Sequence, residues 1–294
     1  MRLGHVTASA VLRNARAIVD GMIDVVMLGT GTPDPDPRRS GSGVAVVQNG
    51  RWIMVDCGRG VTQRAIEAGL DLTAIEAVVL THHHSDHVSD LATLAITRWT
   101  AGSLTPLVVA APSGPCARYA SRCLDAFEDQ AFYAQANQGS PRRPELAVLE
   151  FLAADEPAVV VESGDFSISA ALVDHHPIEA AVGYRITSGG RAIAVSGDTA
   201  TCPGVERLAA SADLLIHQAL RSDRMSSKAL TWNASAFSVG ALAHSLGIRR
   251  LVLTHLMPAP ESADDDEAFR RETRSGGYAE ELIIATDLLR IPVL

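Results

Sequence analysis

Residues 82–87 read His-His-His-Ser-Asp-His. Under the spacing H-x-H-x-D-H, the ligating set is His82, His84, Asp86 and His87. Neutral imidazoles and a carboxylate are the donors that borderline cations such as Zn²⁺ prefer. In an extended segment, alternation puts His82 and His84 on one side. Asp86 and His87 then turn into the start of a helix and can face a second ion. His83 fits the pattern less well and reads as packing or as a hydrogen-bond partner of a ligand. Four side chains cannot satisfy two ions, so further ligands should lie at other strand ends, where α/β proteins assemble their sites. Three candidates follow apolar runs and precede turns: Asp174-His175-His176-Pro177, Asp198 in Ser-Gly-Asp-Thr, and His255. Asp56, after another such run, reads as the partner of a ligand histidine or of nearby backbone.

Short β-branched runs bounded by Gly, Pro, Asp or Asn supply those strand ends. Strands are expected at 23–28, 43–48, 51–56, 76–81, 107–111, 146–152, 158–162, 166–173, 181–187, 191–196, 213–217, 250–254 and 281–285. Asn49-Gly50 between two of these runs is a hairpin signal. Helices are expected at 59–70, 88–99, 114–129, 204–211 and 234–246, and the stretch after 256 reads as helix or loop. Residues 78–82 (VVLTH) are echoed by 251–255 (LVLTH), and 53–58 (IMVDCG) more weakly by 193–198 (IAVSGD). Two similar halves rich in consecutive strands imply two packed sheets with helices outside, not a plain βαβ repeat.

The 294 residues carry 25 Lys+Arg against 34 Asp+Glu, a net charge of −9, which argues against a protein held on nucleic acid by bulk charge. Hydrophobic residues at 47% exclude overall disorder. No apolar run reaches the length of a membrane span. Arg13 and Arg16 interrupt the only apolar stretch of the N-terminus, so it lacks a signal-peptide core. Cys57, Cys116, Cys123 and Cys202 form no C-x-x-C pair and read as reduced thiols, hence a cytoplasmic expectation. We read residues 1–21 as an N-terminal extension and 22–294 as a single domain. Arginine doublets at 38–39, 142–143, 249–250 and 270–271 read as solvated surface charge. The first of them sits in a Pro/Gly loop, 30–43, and could meet an anionic substrate. Phe127, Phe132 and Tyr133, at helical spacing, read as core, or alternatively as a substrate cover or a dimer surface, so a homodimer is a further expectation. Asp264 to Glu267 read as a solvated helix start.

The ordered set Leu28-Gly-Thr-Gly-Thr-Pro33, Val55-Asp-Cys-Gly58, Thr81-His82-x-His84-x-Asp86-His87, His175, Ser196-Gly-Asp198-Thr and Thr254-His255 resembles the metallo-β-lactamase superfamily. It is most similar to the ribonuclease Z-like and arylsulfatase-like branch. The resemblance implies an αββα sandwich of two mixed β-sheets with a dinuclear metal site at one edge. It implies that His82, His84 and His175 hold one ion, that Asp86, His87 and His255 hold the second, and that Asp198 bridges. Zn²⁺ is the leading metal, with Mn²⁺ or Fe²⁺ as alternatives. Two ions could share a hydroxide as the nucleophile, with Asp86 holding it or taking its proton. His84, where the oxygen-reducing di-iron branch has glutamate, favours hydrolysis over redox chemistry. By the same resemblance His217 is the candidate proton donor to the leaving group. The family's His-Glu-Ala-Thr is here His217-Gln218-Ala219-Leu220, however, and 230–236 lacks the family's His-Ser-Thr. Only ten residues separate Arg185 and Ser196, where bacterial ribonuclease Z carries its tRNA-gripping arm. The sequence therefore points first to a hydrolase of a small ester-like substrate: a phosphodiester, sulfate ester, lactone or thioester. A ribonuclease Z-like nuclease is the alternative, with nucleic acid the less expected partner. A metal-bearing binding or sensor protein with little turnover is the third reading.

Overall fold

A computed structural model describes residues 23–127 and 143–294. The proposed extension at 1–21, together with Phe132, Tyr133 and Arg142, lies outside the described residues. The first sheet is built from β1 (Ile23–Gly29), β2 (Gly43–Gln48), β3 (Arg51–Val55), β4 (Ile75–Val79), β5 (Leu107–Pro112) and β6 (Leu146–Phe151). The second is built from β7 (Ala158–Ser163), β8 (Phe166–Leu172), β9 (Val182–Ser188), β10 (Arg191–Val195), β11 (Leu214–Leu220), β12 (Arg250–Met257) and β13 (Glu281–Ile284). The chain then returns to the first sheet as β14 (Arg290–Val293), which pairs antiparallel with β1. Strand orders are β14-β1-β2-β3-β4-β5-β6 and β13-β12-β11-β10-β9-β8-β7.

Alternating burial makes each sheet two-faced. Ile23, Val25, Ile53, Val79, Ile168, Tyr184, Ile193 and Ile216 meet between the sheets. Residues of the opposite parity, among them Val26, Met54 and Val78, pack beneath α1 (Val61–Glu67), α3 (Leu91–Thr100) and α4 (Pro115–Arg122) on one side. Leu215, Leu251 and Leu253 pack beneath α5 (Pro203–Ala209), α6 (Ala236–Ser245) and α7 (Ala263–Ser275) on the other. The result is the expected αββα sandwich of two mixed sheets. A short helix, α2 (Ser85–Val88), lies in the histidine-rich segment itself.

The two sheets repeat one plan, three antiparallel pairings followed by three parallel ones. In that plan β3 corresponds to β10, so the weaker echo, IMVDCG with IAVSGD, marks equivalent strands. The stronger echo does not: VVLTH belongs to β4 and LVLTH to β12, whose counterpart is β5. The stretch after 256 contains the 13-residue helix α7, started by a capping box between Ser262 and Asp265. Strand β14 was not anticipated, because Arg290-Ile-Pro-Val offers too few residues for a period to register. Two surface readings change. Arg39 is 9% exposed and so is not solvated charge, and Phe127 is 38% exposed and so is not core.

Candidate metal centre

All the candidate ligand segments leave their strands at one edge of the sandwich. Leu80-Thr81-His82 continues β4, Asp174-His175 follows β8, Asp198 follows β10, and His255 lies within β12. Tyr184 Oη donates to the Leu80 carbonyl at 2.6 Å and Val182 N to the Thr81 carbonyl at 3.0 Å, so the sheets are pinned together directly below His82. The Asp86–His87 turn is strapped by main chain: Ser42 N donates to the Asp86 carbonyl at 2.8 Å and Cys57 N to the His87 carbonyl at 2.6 Å. Gly41 and Gly58 are required there, because a Cβ at either would overlap the Asp86 carbonyl.

These connections bring all seven predicted ligands together, in two groups. His82, His84, His175 and Asp198 form one, and Asp86, His87 and His255 the other, with the ligand atoms of each group within 4.8 Å of one another. His175 Nε2 lies 3.4 Å from His84 Nδ1, and His87 Nε2 lies 3.4 Å from His255 Nε2. Asp198 belongs to the first group, yet its Oδ2 is 3.4 Å from His87 Nε2 and 3.5 Å from His255 Nε2. It therefore faces both groups. His176, the neighbour of His175, is exposed and lies beside the Trp232 ring.

The donor set fits divalent metal. Ligand atoms about 2.1 Å from a tetrahedral cation are about 3.4 Å apart, the spacing seen here. The remaining ring nitrogens are mostly engaged, which selects the nitrogen each imidazole presents. His82 Nδ1 meets Thr81 Oγ1 at 3.0 Å, His87 Nδ1 meets Asp56 Oδ2 at 2.7 Å, and His175 Nδ1 meets the Trp232 carbonyl at 3.4 Å. Asp56 also accepts from Thr81 N at 2.8 Å, so one buried carboxylate organises both ends of the histidine-rich segment. It does so with φ 61°, a costly left-handed backbone that His255, at φ 48°, shares.

Electrostatics follow from burial. Desolvation, helped by neighbouring imidazoles, pushes His82 well below the usual histidine range and lowers His84. Burial also opposes a charge on His87, but the carboxylates of Asp198 and Asp56 overcome it and hold its pKa well above the usual value. Asp198 stays well below the carboxylate range despite full burial, because His255 and His87 face it. His217 is elsewhere. It is fully buried in β11, its Nδ1 lies 2.7 Å from the Gln218 carbonyl, and burial pulls its pKa down to about 4.

Sequence reasoning missed the braces behind the ligands. Thr199 Oγ1 accepts from Asp174 N at 3.0 Å, tying the His175 segment to the Asp198 turn. Gln218, noticed only for lacking a carboxylate, donates from Nε2 to the Thr199 carbonyl at 2.8 Å. The 230–236 loop, noticed only for lacking histidine, supplies the Trp232 carbonyl. Main-chain acceptors leave no residue-type signal.

The chain belongs to the metallo-β-lactamase superfamily: the β-lactamase superfamily domain matches residues 51–256. Within it the chain falls among ribonuclease Z-like proteins. Ribonuclease Z of Mycolicibacterium gilvum is 33% identical over 282 residues, covering 92% of this chain and 96% of that protein. Two solved structures share the fold. The metallo-β-lactamase fold protein YhfI of Bacillus subtilis aligns with a TM-score of 0.70 at 22% identity, covering 92% of this chain and 99% of that one. The short form of human tRNase Z aligns with a TM-score of 0.68 at 23% identity over the same shares of the two chains. Family and site together make the protein a metal-dependent hydrolase.

Proposed function

We propose that this protein is a dinuclear metal-dependent phosphodiesterase that cleaves RNA in the manner of ribonuclease Z. The observation that carries the reading is the facing pair of ligand groups with Asp198 between them, in a chain one-third identical to ribonuclease Z over most of its length. In this reading His82, His84 and His175 would hold one divalent ion, Asp86, His87 and His255 the second, and Asp198 would touch both. Two such ions supply Lewis acidity at phosphorus and an activated water at neutral pH. The protein's part is to hold the imidazoles neutral and oriented. Asp56 fixes the His87 tautomer, Thr81 that of His82, and the Trp232 carbonyl that of His175. Asp86, ionised and close to His255 Nε2 at 3.1 Å, would accept a hydrogen bond from the attacking water. The leaving-group proton is not assigned to His217, which is neutral at pH 7 and bonded to its own strand.

This ordering reverses the sequence-based preference for a small substrate. That second reading keeps one specific observation in its favour. β9 and β10 join through Gly189-Gly190, both at positive φ, so no arm extends there to grip a folded RNA. The two readings are separated by turnover of a tRNA precursor and of bis(p-nitrophenyl) phosphate with Zn²⁺ or Mn²⁺ added. Endonucleolytic cleavage of the precursor at a kcat/KM above that for the small diester supports the RNA reading. Turnover of the diester alone establishes the small-substrate reading, and silence on both with two ions bound refutes hydrolysis of phosphodiesters.

A further inference from the structure

Beside the metal centre, and sharing none of its seven ligands, is a cavity of about 400 Å³. That volume is in the range of pockets that enclose small molecules. Its walls come from the loops that follow β1, β12 and β13, so it opens at the same edge of the sandwich as the ligand groups. Three arginines line it, and they are not equivalent. Arg38 is exposed and paired with Asp36. Arg64 is paired with Glu67 and Asp287. Arg39 is more than nine-tenths buried and forms no ion pair with any described residue. Its Nη1 donates to Thr30 Oγ1 at 2.7 Å and to the Ala285 carbonyl at 3.1 Å, which leaves Nε and Nη2 uncommitted among the described residues.

Asp287, the nearest obvious counter-charge, is already spent. It accepts from Thr30 N, Thr30 Oγ1, Ser40 N and Arg64 Nε. A buried guanidinium without a carboxylate is costly unless something else neutralises it. A planar fork with two free donors matches one group above others, a phosphate. The opposite wall carries Glu261 and Asp266, acceptors suited to amino or hydroxyl donors rather than to the anion itself. Anion hook on one side and carboxylate acceptors on the other describe a nucleotide better than a bare phosphate ion.

We propose that Arg39 binds a non-scissile phosphate of the substrate, with the flanking nucleotide occupying the cavity. This rests on the phosphodiester reading above. It is tested with the metal-loaded protein and three short RNAs: a dinucleoside monophosphate and the same molecule carrying an extra phosphate at its 5′ or its 3′ end. One of the phosphorylated forms should be cleaved with a kcat/KM about tenfold higher, mainly through KM. Arg39→Gln should erase that preference, and Arg39→Lys, which keeps the charge but not the fork, should restore part of it. Absence of a preference in the unmodified protein, or its survival in Arg39→Gln, overturns the proposal. If Arg39→Gln does not fold, Arg39→Lys carries the test, and an unreduced preference there overturns it. If none of the three RNAs is cleaved, the phosphodiester reading fails separately, and inorganic phosphate then decides the subsite by thermal shift. Greater stabilisation of the unmodified protein than of Arg39→Gln supports a site at Arg39. Equal stabilisation of the two means the anion is held only at the metals and overturns it.

Discussion

Asp198 and Asp56 do different work with the same functional group. Asp198 faces both ligand groups, so Asp198→Ala should reduce bound metal to one ion or fewer per chain and abolish turnover. Elemental analysis after dialysis checks the first and a diester assay the second, and two retained ions would refute the bridging placement. Asp56 touches no ligand position but bonds His87 Nδ1 and Thr81 N. Asp56→Asn should keep the fold and weaken metal affinity about 10- to 100-fold, as losses of such orienting partners do. A competitive chelator titration reads this directly. His217 gives the contrasting case. His217→Asn should shift the unfolding midpoint more than kcat, whereas a loss of the alkaline limb of the pH–rate profile with stability intact would make it the proton donor after all.

At the scale of elements, the site depends on close backbone approach. The carbonyl of Asp86 sits where a Cβ on Gly58 would be. Gly58→Ala should destabilise the protein by about 1–3 kcal/mol, the usual cost of overpacking, and displace α2 with its two ligands. Urea unfolding and metal stoichiometry should therefore fall together; loss of stability with full metal occupancy would mean that the turn relaxes elsewhere. How much of this was readable depended on what each element writes into its side chains. The ligands were legible because His, Asp and their spacing are rare and chemically committed. The strands were legible because burial on one or both faces imposes a period of two or a continuous apolar run. Thr199, Gln218 and the Trp232 carbonyl were not, since their service is a single hydrogen bond that many residue types make. The Arg38-Arg39 doublet was misread as uniform, because sequence gives charge but not depth: one arginine faces solvent and its neighbour is buried.

For the whole molecule, the metal centre is also a seam. Its ligands come from both sheets, so an ion that binds only the folded state stabilises the pairing of the two halves. At metal about 100-fold above its dissociation constant the gain is about 2.7 kcal/mol, equivalent to about 5–10 °C for a domain of this size. Treatment with EDTA should lower the melting temperature by that order, and Zn²⁺ or Mn²⁺ should restore it. An unchanged melting temperature after verified metal removal would show that the sandwich closes without its ions. Among the described residues no helix is long and apolar enough to cross a membrane, and all four cysteines are free thiols.

The grip of Asp287 on Thr30 and Ser40 has a temporal side. Synthesis runs from amino to carboxyl end, and 257 positions separate Thr30 from the carboxylate that fastens it. The loop that straps Asp86 is thus written early and anchored late. A ribosome must deliver nearly the whole sequence before this corner of the centre can set, so nascent chains paused upstream would carry the histidines without the frame that arranges them.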